Sequence, residues 1–324
     1  MSPRDLLESF HDLAPEPDDF LSEVRSGLSK RQKTLPCKFF YDEKGSRLFD
    51  QICELPEYYP TRTETTLLED ISDELSQCIG PYKQIIEYGC GSVQKIRRLL
   101  DALDRPAAYV AVDISREHLL DAAATLAADY PDLEVHAVCA DFTKPFEVKP
   151  PKTRPDARRV GFFPGSTLGN FAQEDAARFL SEAARFLGSD GAMVIGIDLK
   201  KDVSILDAAY NDSEGVTASF NLNLLDRINR ELGADFEVDQ FEHRAHYNAE
   251  QGRVEMHLYS LSDQDVRVDG STFSFAEGES IHTENSHKYS VEEFQTLARA
   301  AGFEPRRVWI DDAKLFSIHY LDVA

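Results

Sequence analysis

Positive charge is what this 324-residue sequence has too little of: 35 Lys and Arg stand against 58 Asp and Glu, a formal net charge of −23. Such a balance repels a phosphate backbone, so sequence-independent nucleic-acid binding loses its main driving force and no nucleic-acid partner is expected. Long hydrophobic runs are lacking as well. The longest, Ala192 to Leu199 and Ala107 to Val112, fall far short of the roughly 20 residues that span a bilayer, so no membrane span is expected. The N-terminus carries acids from Asp5 onward and no apolar stretch resembling a secretory signal, which leaves a cytoplasmic protein as the expectation.

Paired cysteines are missing too. Cys37, Cys53, Cys78, Cys90 and Cys139 are widely spread, odd in number and without a CxxC motif, which suits reduced thiols rather than a disulfide framework or a zinc site. The nine histidines are scattered; His243 and His246 are near neighbours, but no cysteine or acidic cluster is expected to complete a metal-ligand set, so no metal is expected. There is no internal repeat. Lys144 to Arg159, rich in Pro and Lys, reads as an exposed connector. The length suits about two domains.

What is present is an alternation of short apolar runs and amphipathic stretches between about Lys83 and Lys200. Gln84–Tyr88, Ala108–Asp113, Leu133–Asp141, Val160–Gly165 and Ala192–Leu199 read as strands, and Val93–Leu103, Arg116–Tyr130 and Gln173–Leu187 have helical spacing. This βαβαβ rhythm predicts an α/β fold with a mostly parallel, doubly wound sheet. After Asp198 the rhythm breaks into a helical stretch, Val216–Leu232, and period-two runs at His243–Asn248, Arg253–Ser260 and Ser271–Phe275. The last forty or so residues return to a helix, Val291–Ala301, and two strands, RRVWI and LFSIHYL, that predict an antiparallel hairpin closing the sheet. The central stretch is therefore expected as an inserted α+β region that forms, with the N-terminal segment, a second domain over the mouth of the first, where ligands usually bind.

The first predicted strand runs into Glu87-Tyr88-Gly89-Cys90-Gly91-Ser92, with a helix opening directly behind it. Two glycines let backbone approach a ligand closely, but a dinucleotide fingerprint needs a third where Gln94 stands, which disfavours a nicotinamide dehydrogenase. Glu87, Asp113 and Asp141 are expected at the carboxyl ends of three consecutive strands. Three carboxylates there suit a cationic ligand whose ribose and adenine need hydrogen bonds, such as S-adenosylmethionine, although Asp113 and Asp141 are also of the type that caps helices.

Several long strings then resemble one family: Leu35–Glu64 (LPCKFFYDEKGSRLFDQICELPEYYPTRTE), Ile85–Leu103 (IIEYGCGSVQKIRRLLDAL), Phe162–Phe171 (FFPGSTLGNF), Ala208–Phe236, RVEMHL and HTENSHKYS. Together they resemble the histidine Nα-methyltransferases of ergothioneine biosynthesis from about Phe20 to the C-terminus. The resemblance implies S-adenosylmethionine-dependent trimethylation of the L-histidine α-amine to hercynine. It implies a Rossmann-like methyltransferase domain over residues 63–198 and 289–324, and a substrate domain over 1–62 and 199–288. It places the cofactor at Gly89, Lys95, Asp113, Asp141 and Phe142. Amino-acid recognition falls to Tyr41, Tyr58, Gly165, Asn170, Tyr210, Met256, Glu284 and Ser286.

The chemistry of these side chains suits the roles. Asn170 and Tyr210 offer donors to an α-carboxylate, and Tyr41 and Tyr58 can fix the amine or ring directly or through water. Glu284 and Ser286, two apart on an extended segment, face the same way and can grip both imidazole nitrogens. Tyr41 is the candidate for orienting the amine or relaying its proton, and no Lys or His in the matching strings looks like a dedicated base. Two departures from the family pattern stand out: Cys90 where serine is commoner, and polar His282 and Asn285 around Glu284 where apolar neighbours are expected. The competing expectations are the same fold and cofactor acting on another amino acid, such as a tryptophan derivative, or a catalytically silent S-adenosylmethionine-binding module. A monomer is expected.

Overall fold

The computed structural model describes residues 6–13, 17–91 and 93–324, so Ser92 of the glycine-containing turn lies outside the described residues. The chain opens with β1 (Ser9–Leu13), α1 (Pro17–Leu28), β2 (Lys33–Thr34), α2 (Glu43–Glu54), α3 (Tyr59–Asp70) and α4 (Ser72–Ile79). It continues through β3 (Gln84–Tyr88), α5 (Val93–Ala102), β4 (Ala108–Asp113), α6 (Arg116–Asp129), β5 (Glu134–Ala140), β6 (Arg159–Phe163), α7 (Gln173–Leu187) and β7 (Ala192–Asp198). Next come α8 (Val203–Tyr210), α9 (Val216–Leu232), β8 (Phe241–Asn248), β9 (Arg253–Ser260), β10 (Gln264–Val268), β11 (Ser271–Phe275) and β12 (Ser280–His287). The chain closes with α10 (Val291–Ala300), β13 (Phe303–Ile310) and β14 (Phe316–Val323).

Two compact units result, the first from Met1–Ala14, Pro60–Lys200 and Lys288–Ala324, the second from Pro15–Tyr59 and Lys201–His287. The first is built on an eight-stranded sheet in the order β1-β5-β4-β3-β6-β7-β14-β13. Strands β1 and β3 to β7 run parallel within it, and β14 and β13 close the edge as the expected antiparallel hairpin. The central strands are apolar almost throughout because both faces are covered, as parallel sheets require. Successive residues divide between those faces: Ile85 packs with Leu75 of α4, Leu99 of α5 and Leu126 of α6, whereas Ile86 packs on the side of Leu180 of α7 and Phe294 of α10. The sheet is thus doubly wound and Rossmann-like, and its strand order reverses where β3 lies between β4 and β6. Ligands of such sheets bind beyond the carboxyl ends of the strands at that reversal.

One expected boundary needs correction. Residues 1–62 were expected as a block in the second domain, but β1 pairs in parallel with β5, from Ser9 opposite His136 to Leu13 opposite Ala140. The Ser9 hydroxyl lies 2.8 Å from His136 Nδ1, and the stretch extends the large sheet at its edge.

The second unit holds a four-stranded sheet, β2-β12-β9-β8, and a separate β10-β11 hairpin. Its long strands β8, β9 and β12 are antiparallel neighbours, and helices α8 and α9 cover one face. Asn221 of α9 reaches the sheet through its amide, 2.8 Å from His243 Nδ1 and 3.2 Å from the His257 carbonyl.

Candidate active site

The turn after β3 is shaped by Gly89, whose φ of +79° an L side chain rarely adopts. Its N–H donates to the Val112 carbonyl at 2.8 Å, which ties the turn to the end of β4. A Cβ on Gly89 would sit 3.8 Å from the Phe142 ring, so two of the expected cofactor residues, 53 positions apart, are brought together. Asp113 ends β4 and Asp141 follows β5 directly. Each uses Oδ1 to brace its own turn: Asp113 accepts from Ser115 N–H at 2.7 Å, and Asp141 from Thr143 N–H at 3.1 Å and from the Thr143 hydroxyl. A carboxylate has further lone pairs, so turn bracing leaves it able to accept from a ligand. Burial pushes the Asp113 carboxyl up to about 6, partly offset by the Ser115 N–H.

Glu87 does not join them. It is fully buried, accepts the Tyr109 hydroxyl and lies beside Cys90, and burial pushes its carboxyl up to about 8. At neutral pH it is mainly a neutral acid under the turn, so the strand ends present two carboxylates rather than three. The Cys90 thiol likewise turns inward, 3.4 Å from the Tyr109 hydroxyl, so the departure from serine falls on a side chain packed in the core.

Lys95, in the first turn of α5, lies 2.5 Å from Oε2 of Glu64, and both side chains are nearly inaccessible, at 12% and 1% exposure. The same Glu64 carboxylate accepts the Gly165 N–H at 2.8 and 3.0 Å. Gly165 (φ +78°) and Ser166 (φ +54°) form a left-handed pair after β6. Ser166 Oγ accepts from Asp198 N–H at 2.9 Å, and Asp198 is paired at 2.6 Å with the equally buried Lys288. Because the Gly165 N–H is taken, what that residue can offer a ligand is its carbonyl and its lack of a side chain. Asn170 ends the short 3-10 turn Thr167–Asn170 that follows, half-buried.

In the second unit, Tyr41, Tyr58, Tyr210, Met256, Glu284 and Ser286 come from five different elements or turns. Phe49 links Tyr41 and Tyr58 edge-on, at ring separations of 5.7 and 6.3 Å, and Tyr58 meets Tyr210 at 6.2 Å. Burial, with Tyr210 beside it, raises the Tyr58 phenol well above its ordinary range, so it is a donor and not a base. The Tyr210 hydroxyl donates to Ser286 Oγ at 2.7 Å. Glu284 pairs across the sheet with Met256, and Ser286 with Val254, so carboxylate, hydroxyl and thioether share one face. The Cys37 thiol, pushed up to about 12 by burial and then by the Glu284 charge, lies within that carboxylate's field.

A bulge resolves the polar neighbours of Glu284. The register shifts between His282 and Glu284, so His282 pairs with His257 and Asn285 with Glu255, on the opposite face from Met256. His282 stacks on His257 at 4.6 Å and sends its Nε2–H to the Glu284 carbonyl at 2.9 Å. That back face also brings His246, Glu255 and His257 together, with ligand-type atoms within 4.8 Å of one another. No cysteine or acidic cluster was expected to complete a ligand set with the histidines; cross-strand pairing places Glu255 opposite His246. Its carboxyl is held at about 2 because Arg253, at 2.8 Å, and His257 together outweigh burial.

A family model described as histidine-specific methyltransferase, SAM-dependent, matches residues 20–323. The chain belongs to this family. A histidine N-alpha-methyltransferase from Mycolicibacterium smegmatis is 40% identical over 301 residues, covering 91% of this chain and 92% of the relative. Ergothioneine biosynthesis protein 1 of Schizosaccharomyces pombe is 28% identical over 286 residues, 85% of this chain but 37% of that longer protein. A 4-dimethylallyltryptophan N-methyltransferase from Epichloe festucae var. lolii is 28% identical over 330 residues, 93% and 94% of the two chains.

Within this methyltransferase, Glu64, which joins Lys95 to Gly165, is a residue that sequence reasoning passed over. A signal existed: Gly196 interrupts the apolar run of β7, and a glycine inside a strand marks a close approach. A Cβ there would lie 2.0 Å from Glu64 Oε1.

Proposed function

We propose that this methyltransferase transfers three methyl groups from S-adenosylmethionine to the α-amine of L-histidine, giving hercynine, the first step of ergothioneine biosynthesis. The observation that carries the choice of amino acid is the shared face of Glu284, Ser286 and Met256, where a carboxylate and a hydroxyl stand two residues apart beside a buried thioether. An imidazole offers one donor and one acceptor nitrogen to such a pair. Gly89, Lys95, Asp113, Asp141 and Phe142 are assigned to the cofactor: Asp113 accepts from the ribose hydroxyls, and Phe142 packs against the glycine turn. In the first unit Asn170 is assigned to the substrate carboxylate and Gly165 to close backbone approach; in the second, Tyr41 and Tyr58 are assigned to the amine, and Tyr210, whose one proton goes to Ser286, serves the substrate by holding that hydroxyl.

Methyl transfer from a sulfonium is an in-line displacement whose thioether leaving group needs no proton. Catalysis is then chiefly positioning, which contributes several kcal/mol when the nucleophile is held near its attack distance. Only the neutral amine attacks, so a proton leaves before each round; Tyr41 orients the amine or relays that proton through water. The five free thiols suit a reducing cytoplasm.

The second candidate substrate is a tryptophan derivative, favoured by the 4-dimethylallyltryptophan relative. An indole has no acceptor nitrogen for the Ser286 hydroxyl, which argues for histidine. Turnover of L-histidine compared with L-tryptophan and its 4-prenylated form tests the choice: preference for an indole would overturn it.

A further inference from the structure

We infer that Glu64 is a positioning residue that couples the proposed cofactor and amino-acid subsites of the first unit, holding Lys95 with its charge and Gly165 with its lone pairs. The inference rests on the assignment of Lys95 to S-adenosylmethionine and of Gly165 to the amino acid. Glu64 belongs to α3, distant in sequence from both partners, and 1% of its side chain is exposed. A carboxylate so deeply buried persists as an ion only when its charge and lone pairs are satisfied. Here the Lys95 ammonium lies 2.5 Å from Oε2, and the Gly165 N–H lies 2.8 and 3.0 Å from the two oxygens.

The surroundings are built to fit it. Gly196 of β7 leaves the space that Oε1 occupies, since a Cβ would stand 2.0 Å away. The Lys95 Nζ and a Cβ placed on Gly165 would be 3.5 Å apart, so ammonium, glycine turn and carboxylate meet at one point. A lysine on a flexible stem is a loose point charge unless something fixes it. A left-handed Gly-Ser turn likewise keeps its shape when its first N–H is held. Glu64 does both, and Ser166 Oγ, accepting from Asp198 N–H, braces the turn from its other side. Glu64 has no part in bond making; it acts through Lys95 and Gly165.

The two functions separate by substitution. Glu64→Gln keeps a carbonyl oxygen for the Gly165 N–H but turns an amide donor on Lys95 in place of the negative charge. The S-adenosylmethionine Kd should then rise about 10-fold to 100-fold, the loss expected when a buried charge pair is broken, with the KM for histidine within about twofold of the parent. Glu64→Leu removes both contacts and should raise both constants. Lys95→Met should weaken the cofactor as well, and Glu64→Gln combined with Lys95→Met should be no worse than Lys95→Met alone, since the partner is already gone. Calorimetric titration of the cofactor and steady-state kinetics read these effects, with far-UV circular dichroism to confirm folding. If Glu64→Leu fails to fold, the Gln variant and the double variant still decide. Parent-like cofactor binding in folded Glu64→Gln, or strictly additive losses in the double variant, would overturn the inference. A parent protein that binds no S-adenosylmethionine would instead refute the cofactor assignment beneath it.

Discussion

The hydroxyl of Tyr210, at the end of α8, donates to Oγ of Ser286 on β12 across 2.7 Å. The sequence had suggested separate duties, a substrate carboxylate for Tyr210 and an imidazole nitrogen for Ser286, but the two form one hydrogen-bonded unit. Under the proposed assignment Tyr210 acts on the amino acid through Ser286, so removing either hydroxyl should disturb the same contact. Tyr210→Phe and Ser286→Ala should each raise the KM for histidine about tenfold, the loss of roughly one hydrogen bond, and the double variant should lose less than the product of the two. Steady-state kinetics on the four proteins checks this; independent effects would show that the bond carries no coupling.

Glu284 supplies the charge on the same face. Glu284→Ala should weaken histidine binding about 10-fold to 100-fold and narrow the preference over tryptophan, with the S-adenosylmethionine Kd unchanged. Paired titrations with the amino acid and the cofactor measure this. A loss of cofactor affinity with histidine affinity intact would reverse the roles assigned to the two units.

Cofactor binding should depend on pH through Asp113. Burial pushes its carboxyl up to about 6, and the proposed role, accepting two ribose hydroxyls, needs the ionised form. The S-adenosylmethionine Kd should be flat above pH 7 and rise toward tenfold per unit below about 6, whereas Asp113→Asn should bind weakly without that inflection. Titrations between pH 5 and 8 on both proteins check this at roughly constant ionic strength.

Glu87 should make the fold itself sensitive to pH. The folded chain holds this proton up to about 8, against an ordinary value of 4.5, because burial disfavours the anion. The stabilisation is therefore complete below about 4.5 and is lost progressively as pH rises through about 8, with a slope approaching about −1.4 kcal/mol per unit in between. Denaturant unfolding across that window should show the decline, and Glu87→Gln, which keeps an acceptor for Tyr109 without an ionisable group, should flatten it.

The parallel strands were legible because strands covered on both faces read as unbroken apolar runs, and the glycine turn because Gly89 needs a backbone that few residues adopt. The edge strand β1 was not, since SFHDL is short and mixed in polarity, and α8 was missed before the longer α9. Glu64 escaped because its meaning lies in contacts with residues far along the chain. Glu87 was misjudged for the opposite reason: strand position gives the direction of the chain but not which side chains turn into the core. The bulge at Thr283, which puts His282 on the face opposite the Glu284 side chain, depends on cross-strand register that no local pattern reports.

The most direct test of the account is the mass of the product formed when the purified protein is incubated with S-adenosylmethionine and a panel of free L-amino acids. Histidine alone should gain mass, by three methyl groups at completion, with fragmentation placing them on the α-nitrogen. No gain on histidine together with methylation of another amino acid would contradict the roles given to Glu284 and Ser286 while leaving the fold and the family standing.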